Sequence, residues 1–304
     1  MSVGDNPDGE FAVVRSADGV HWTENGGGLT GLPEALAGPY RIWPFGDGFM
    51  LYGSSGFEDP ELLGEDPFVA ISDDLLTWEE IELPGMDQLF FNGWQNAHGP
   101  GDVSADGQVA LFSGSNRAFE SGVGGLVLWV VRPGRAPVLL DNDEGVYAFT
   151  FLQGMPIGLT WLQGGAPQLY LLDDVTWMPL PSPPANPQLG PAVRAVGSAL
   201  FLLSSGESWS TNDVGATWSQ IPTMPSSVRS SGYFGAFTVG GPAEPPFGAP
   251  DSFRVSTDGI GWTSSALPEG ATGIRHLASN EAGLLSVVEF GKPQQRFETL
   301  FTPR

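Results

Sequence analysis

The sequence predicts an all-β fold assembled from a repeated antiparallel unit. Three observations carry that expectation. A Trp follows a short acidic turn five times, the segments flanking the turns are short and apolar or alternating, and the composition is rich in turn formers. The copies read Ser16-Ala-Asp18-Gly19-Val-His-Trp22, Ser72-Asp-Asp74-Leu-Leu-Thr-Trp78, Leu171-Leu-Asp173-Asp-Val-Thr-Trp177, Thr211-Asn-Asp213-Val-Gly215-Ala-Thr217-Trp218 and Ser256-Thr-Asp258-Gly259-Ile-Gly-Trp262. Recurrence of this kind marks a repeat architecture, in which one unit cannot bury its faces without neighbours. The 304 residues include 43 Gly, 27 Pro and 10 Trp and show no sustained helical period, as expected of many short strands joined by turns.

Each turn reads as the tip of a hairpin. A Ser or Thr hydroxyl and an Asp carboxylate bond to backbone groups one to three residues away and tie the turn shut. Gly supplies a positive φ where one is needed. The Trp packs its apolar face beneath the turn and offers its ring N–H to an acceptor. Runs at Phe11–Val14, Pro67–Ile71, Gln168–Leu172 and Phe253–Val255 lead into the turns as strands.

The repeat resembles the Asp-box, or BNR, repeat, whose pattern S/T-x-D-x-G-x-T-W is matched in full from Thr211 to Trp218. The other copies are shortened or lack the Gly, and the third has Leu171 in place of the hydroxyl. The resemblance implies a β-propeller with a sialidase-like fold, in which the box connects the two outer strands of a four-stranded antiparallel blade, away from the ligand face. Sialidases, other glycosidases and non-catalytic secreted proteins carry such repeats, so the resemblance speaks to fold far more than to function.

Successive box Trps are 56, 99, 41 and 44 residues apart, so the long gap holds a unit whose box has decayed. The hairpin Leu126–Val131, with its turn at Arg132-Pro-Gly-Arg135 and return over Ala136–Leu140, sits where that unit is expected. Six connectors follow. Inner hairpins are expected at Tyr40–Ser54, Tyr147–Leu162, Ala192–Ser204, Gly232–Gly240 and Ile274–Phe290. The last strand, Arg296–Thr302, is expected to pair with the amino-terminal strand Phe11–Arg15, closing residues 1–304 as a single domain of six blades. The ends carry more strand than one regular blade needs, which leaves seven blades or a five-stranded closing blade open.

Charge narrows the partners. Thirty-five acidic residues against twelve basic ones give a net charge of −23, and Lys292 is the sole lysine. Phosphate backbones and anionic membrane surfaces would be repelled. No run of about eighteen apolar residues is present to span a membrane. The absence of Cys removes disulfides, thiol nucleophiles and thiolate-bound metals. Met1–Glu10 is polar and acidic and does not read as a signal peptide, so the expected export, extracellular or to a bacterial periplasm or cell envelope, would rest on a leader outside this sequence. A monomer with a glycan or protein partner at the mouth of the central channel is expected.

In a propeller the inner strands line that channel. Aligning the inner hairpins on their turns places Arg194, Arg229 and Arg275 at equivalent points, two residues before the strand end, with Arg41 two residues earlier on the same face. Together they form a candidate site for a carboxylate or sulfate. The plainer alternative pairs them with acidic loops such as Glu58-Asp59-Pro-Glu61 or Glu65-Asp66. Tyr40-Arg41-Ile42 also resembles the Arg-bearing segment of sialidases, although Trp43 intervenes before Pro44. That resemblance implies Arg229 and Arg275 as further carboxylate contacts, Tyr233 as a nucleophile, and Asp59 or Asp102 as an acid. A carbohydrate-active enzyme, either a sialidase-like glycosidase or a lyase, is therefore the alternative to a binding module.

The run Phe90–Asp102 is aromatic, amide-rich and Gly-rich and reads as a loop capping the channel, with Trp94 and His98 as sugar contacts or Trp94 as core. The three histidines lack metal-ligand spacing. Asp141 and Asp143 offer oxygen ligands for Ca²⁺ but lack the length of a Ca²⁺ loop and read foremost as a solvated turn. No cofactor is otherwise expected.

Overall fold

Alternating short runs separated by polar turns fold here into up-and-down meanders, as a computed structural model of the chain shows. It describes residues 2–5, 11–15, 23–24, 29–32, 36–56, 65–85, 98–115, 126–160, 166–182, 192–203, 208–221, 229–230, 235–240, 250–258, 261–280, 283–290 and 296–303. Among these, twenty-six strands form seven antiparallel sheets with strands adjacent in chain order. The first sheet holds β1 (Ser2–Asp5), β2 (Phe11–Arg15) and β3 (Thr23–Glu24). The second holds β4 (Leu36–Phe45), β5 (Gly48–Gly56), β6 (Glu65–Ser72) and β7 (Glu79–Glu80). The third holds β8 (His98–Val103), β9 (Ala110–Ser115), β10 (Leu126–Val131) and β11 (Val138–Leu140). The fourth holds β12 (Ala148–Leu152), β13 (Met155–Thr160), β14 (Gln168–Asp173) and β15 (Thr176–Pro179).

The fifth holds β16 (Ala192–Val196), β17 (Ala199–Leu203), β18 (Ser208–Thr211) and β19 (Ser219–Ile221). The sixth holds β20 (Arg229–Ser230), β21 (Gly235–Gly240), β22 (Pro250–Ser256) and β23 (Thr263–Ala266). The seventh holds β24 (Ala271–Asn280), β25 (Gly283–Phe290) and β26 (Arg296–Pro303). The chain packs as two compact units, one of Met1–Ala17, His21–Tyr147 and Leu172–Met178, the other of Asp18–Val20, Ala148–Leu171 and Pro179–Arg304. Among the described residues no helix is long and apolar enough to cross a membrane.

Two expectations about the ends need correction. Phe11–Arg15 does not pair with the carboxy-terminal strand: β1 occupies one of its edges and β3 the other. β26 pairs with β25 along its whole length. An amino-terminal strand at Ser2–Asp5, short and too polar to announce itself, fills the edge that was assigned to the last strand. The terminal strands thus form two three-stranded sheets and not one five-stranded sheet.

The hydroxyl and carboxylate chemistry of the turns is as the residue types require, whereas the ring N–H groups of Trp78 and Trp177 are buried without the acceptor expected of a box Trp. Ser72 Oγ accepts the N–H of Leu75 at 2.8 Å, and Asp74 Oδ1 accepts those of Leu76 and Thr77, each at 2.8 Å. Thr211 Oγ1 accepts from Gly215 at 2.9 Å, while Asp213 accepts the Thr217 N–H at 2.8 Å and its hydroxyl at 2.6 Å. Asp258 Oδ1 accepts from Gly261 at 2.8 Å. The first copy lies outside the described residues. In the second, third and fourth copies the residue after the box Asp is left-handed without being Gly: Leu75 at φ 70°, Asp174 at 53° and Val214 at 57°. Such a conformation costs an L-residue about 1–2 kcal/mol, which the second and fourth turns offset by their side-chain bonds.

The same device appears at a turn with no Trp. Ser104 Oγ donates to Asp106 Oδ1 at 2.6 Å and accepts from Val109 at 2.9 Å, closing the β8–β9 hairpin. The decayed third unit turns at Arg132–Arg135, with Arg135 N donating to Arg132 O at 3.1 Å and Gly134 at φ 67°. Its tryptophan, Trp129, donates from Nε1 to Pro84 O at 2.8 Å, and Trp218 donates likewise to Pro181 O at 3.3 Å. In both cases the acceptor lies on the crossover that leads into the sheet. Trp78 is reached differently: its backbone N donates to Thr30 O at 2.9 Å, and Leu29 and Leu32 of that crossover pack on the Trp78 cluster.

These bonds make the turns pH-sensitive. Asp213 is held down to about 2 by the Thr217 hydroxyl first, then the Thr211 hydroxyl and the Thr217 N–H. Asp74 is lowered by the N–H groups of Thr77 and then Leu76. A carboxylate depressed on folding contributes stability above the unfolded value, and loses it as pH falls through the folded one. The thermal midpoint of Asp213→Asn is therefore expected to lie below wild type at pH 7. The difference should close as pH falls from the ordinary 3.8 towards about 2. A pH-independent gap in calorimetric scans would refute the assignment.

Candidate functional site

The site that the described residues bring together lies in the first unit, where β4 and β8 approach. β4 carries Pro39-Tyr40-Arg41 in its middle and slips register between Pro39 and Arg41, leaving Tyr40 as an extra residue. β8 slips between His98 and Gly101. Bulges of this kind re-aim neighbouring side chains and are frequent beside binding sites. Arg41 is exposed; its Nη1 donates to Gly101 O at 3.4 Å and its Cζ stands 6.0 Å from the Trp43 ring centroid.

Behind the guanidinium runs an aromatic row. Trp43 is tilted 58° against Phe112 with centroids 6.2 Å apart, and Phe112 lies 4.6 Å from Tyr52. Tyr52, buried, donates its hydroxyl to Ser113 O at 3.1 Å. Gly101 is required where β8 crosses this row: a Cβ there would stand 2.7 Å from Phe112 Cδ1 and 2.7 Å from Tyr52 Cδ1. The absent side chain lets the Gly101 carbonyl come within reach of Arg41.

The remaining expected residues fall as follows. Asp102 is half-buried on β8, and its Oδ1 accepts the N–H of Val103 at 3.0 Å. His98 opens β8, so the tail of the expected capping loop, from His98 on, is strand. The Gly99-Pro100-Gly101 run within the bulge hides the alternation that would have shown it. Trp94, Asp59 and Tyr233 lie outside the described residues. Asp141 and Asp143 are exposed, and Asp141 Oδ1 accepts from Asp143 N at 3.3 Å. Asn142 closes that turn through Val146 N at 2.8 Å. Among the described residues no three His, Asp or Glu side chains gather as metal ligands would.

Arg194, Arg229 and Arg275 belong to the second unit, on the first strands of three consecutive sheets. Arg194 sits two residues before the end of β16, as expected, half-buried, with Nη1 donating to Val193 O at 2.7 Å. Arg229 pairs with Ala236 one residue before β20 ends, one residue nearer the end than expected. Arg275 departs further from the alignment. It is the extra residue of a bulge between Ile274 and His276, five residues before the end of β24. A bulge changes the strand count by one and leaves no mark in composition, so turn-based alignment missed it.

Sequence reasoning also missed Thr150. Its Oγ1 accepts the N–H of Ala195 at 3.2 Å, so a side chain on β12 satisfies the backbone of β16. Arg41 does the same from β4 to β8. Thr150 and Arg194 occupy the same place relative to their strand ends, so this position serves to tie sheets as well as to present groups.

No family model matches the chain, and no curated protein matches it. Solved structures do. The β-propeller domain of the trilobed protease from Pyrococcus furiosus superposes with a TM-score of 0.56 at 9% identity, over 88% of this chain and 84% of that one. Puromycin hydrolase matches with a TM-score of 0.59 at 12% identity over 99% of this chain, and Pyrococcus horikoshii acylaminoacyl peptidase with 0.54 at 9% over 83%. This chain spans 50% of the former and 43% of the latter. At these identities the likeness shows the fold: an all-β propeller of antiparallel, mostly four-stranded sheets.

Proposed function

We propose that the chain is a non-catalytic, exported binding or scaffolding β-propeller that takes a carboxylate- or sulfate-bearing glycan, or an acidic protein segment, at Arg41. The observation that carries this reading is the exposed guanidinium of Arg41, anchored on Gly101 O and set over Trp43 on a bulged strand. One donor is fixed by the backbone, and the fork keeps further N–H groups for a bidentate anion contact. The adjacent Trp43 is half-buried beneath the guanidinium, and its exposed part adds an aromatic contact for a sugar. In a chain of net charge −23 an exposed Arg against an aromatic is a local exception to the repulsion of anions.

The hydroxyl–carboxylate turns support an Asp-box assignment, since they hold the outer hairpins together and leave the first strands to bind. The likeness to a propeller that is one domain of a protease supports a module that works beside other parts.

The test is calorimetric titration of wild type, Arg41→Ala and Arg41→Lys with sulfate, a glucuronate-containing oligosaccharide and its neutral counterpart. Arg41→Ala is expected to weaken acidic-ligand binding by about 1.5–3 kcal/mol, the range for a hydrogen bond to a charged group. Arg41→Lys should recover only part, because Lys lacks the planar fork. Equal affinity in all three proteins, with unchanged thermal midpoints, would refute the site.

A further inference from the structure

The repeat supplies its own control for surface chemistry. After the box Trp, the outer strands begin Thr23-Glu24, Glu79-Glu80, Ser219-Gln220 and Thr263-Ser264, all polar. The fourth sheet alone reads Met178-Pro179. Met178 is 47% exposed, Val175 in the preceding turn 39%, and Val138 on β11 of the third sheet 38%. These three are the exposed large hydrophobics of the described residues.

Two of them lie beside one clasp between the sheets: Val175 is in the turn that it holds, Val138 is on β11 three residues after the Arg132–Arg135 turn, and Met178 follows Val175 on β15. Arg132, the residue after β10, donates from Nη2 to Asp174 O at 2.6 Å, and its Nη1 lies 3.6 Å from Asp174 Oδ1. Val138 pairs with Val130 two residues before Arg132, and Val175 follows Asp174. Exposed carboxylates flank the patch: Asp141, Asp143 and Glu144 after β11, Asp173 and Asp174 before β15. Arg132 is engaged by Asp174, which leaves Arg135 as the one exposed cation on these two outer segments.

We propose that the outer strands of the third and fourth sheets form a docking surface for a cationic, partly apolar protein segment, separate from the Arg41 site. Charge selects the occupant. A second copy would bring another −23 to a rim already acidic, and anionic membranes or nucleic acid would meet the same repulsion. A segment that alternates Lys or Arg with aliphatic residues satisfies both parts of the surface. It buries Val138, Val175 and Met178 and sets its cations against the rim. β11 and β15 are last in their sheets among the described residues, so an extended segment also finds a strand edge to pair with there.

The probes are three synthetic heptapeptides, alternating Lys/Val, Lys/Ser and Glu/Val, titrated into wild type and Val138→Ser/Val175→Ser/Met178→Ser. The Lys/Val peptide is expected to bind wild type in a salt-sensitive manner and the variant at least about tenfold more weakly, a difference of about 1.4 kcal/mol. Equal Lys/Val binding to both proteins would show indiscriminate attraction to an acidic surface and overturn the proposal, as would no binding at all. A second measurement needs no variant: peroxide oxidation of Met178, followed by peptide mapping, should slow when Lys/Val is present and not when Glu/Val is. Unchanged oxidation overturns the proposal. So would a wild-type dimer in sedimentation, or flotation with phosphatidylserine vesicles, that the triple variant abolishes.

Discussion

Trp129→Ala is expected to cost about 3–5 kcal/mol, the range for deleting a buried large aromatic, and to be the most damaging single change in the first unit. The side chain is fully buried, packed with Phe45, Met50, Tyr52, Val69 and Phe112 of the second and third sheets. Its Nε1 holds the crossover through Pro84 O. Truncation leaves a cavity between two sheets and an unpaired carbonyl. Trp129→Phe separates the two effects: it keeps most of the volume and loses the hydrogen bond, for about 1–3 kcal/mol from the orphaned acceptor and a smaller void. Urea denaturation of both variants checks the order. A loss below about 1 kcal/mol for Trp129→Ala, small against the usual cost of an aromatic truncation, would mean that the sheets do not share this core.

Gly31→Ala is expected to cost about 2–4 kcal/mol, combining backbone strain with overpacking. Gly31 sits at φ 81°, and a Cβ there would stand 1.9 Å from Trp78 O. Backbone cannot yield as a flexible side-chain tip does, so the crossover would have to lift from the box it covers. That would break the bonds from Thr30 N to Leu76 O and from Trp78 N to Thr30 O. Gly134→Ala is the control. Gly134 has φ 67° with nothing within 4 Å of the added Cβ, so it should cost only the left-handed penalty of about 1–2 kcal/mol. Equal losses for the two variants in thermal denaturation would contradict the clash.

Much of the sheet content was legible because the turn residues are chemically explicit. Ser72, Asp74, Thr211 and Asp213 announce their own bonds, and the strand at Leu126–Val131 was found at its observed limits although its box had decayed. What stayed hidden has a common cause. Ser2–Asp5 pairs through its backbone and carries no apolar run. The bulges at Tyr40, at His98–Gly101 and at Arg275 shift a strand by one residue without any change in residue type. The ties from Arg41 to Gly101 and from Thr150 to Ala195 join residues far apart in sequence through backbone atoms. Arg41 itself was visible as a candidate; that its guanidinium is partly committed to a neighbouring strand was not.

The measurement that bears most directly on a non-catalytic propeller binding at Arg41 is mass spectrometry of an acidic oligosaccharide after prolonged incubation with the protein, at a concentration where binding has been confirmed. The oligosaccharide is expected to be recovered intact, with binding lost in Arg41→Ala. Release of a shortened or unsaturated product by wild type, abolished in that variant, would contradict this expectation and make the chain a carbohydrate-active enzyme.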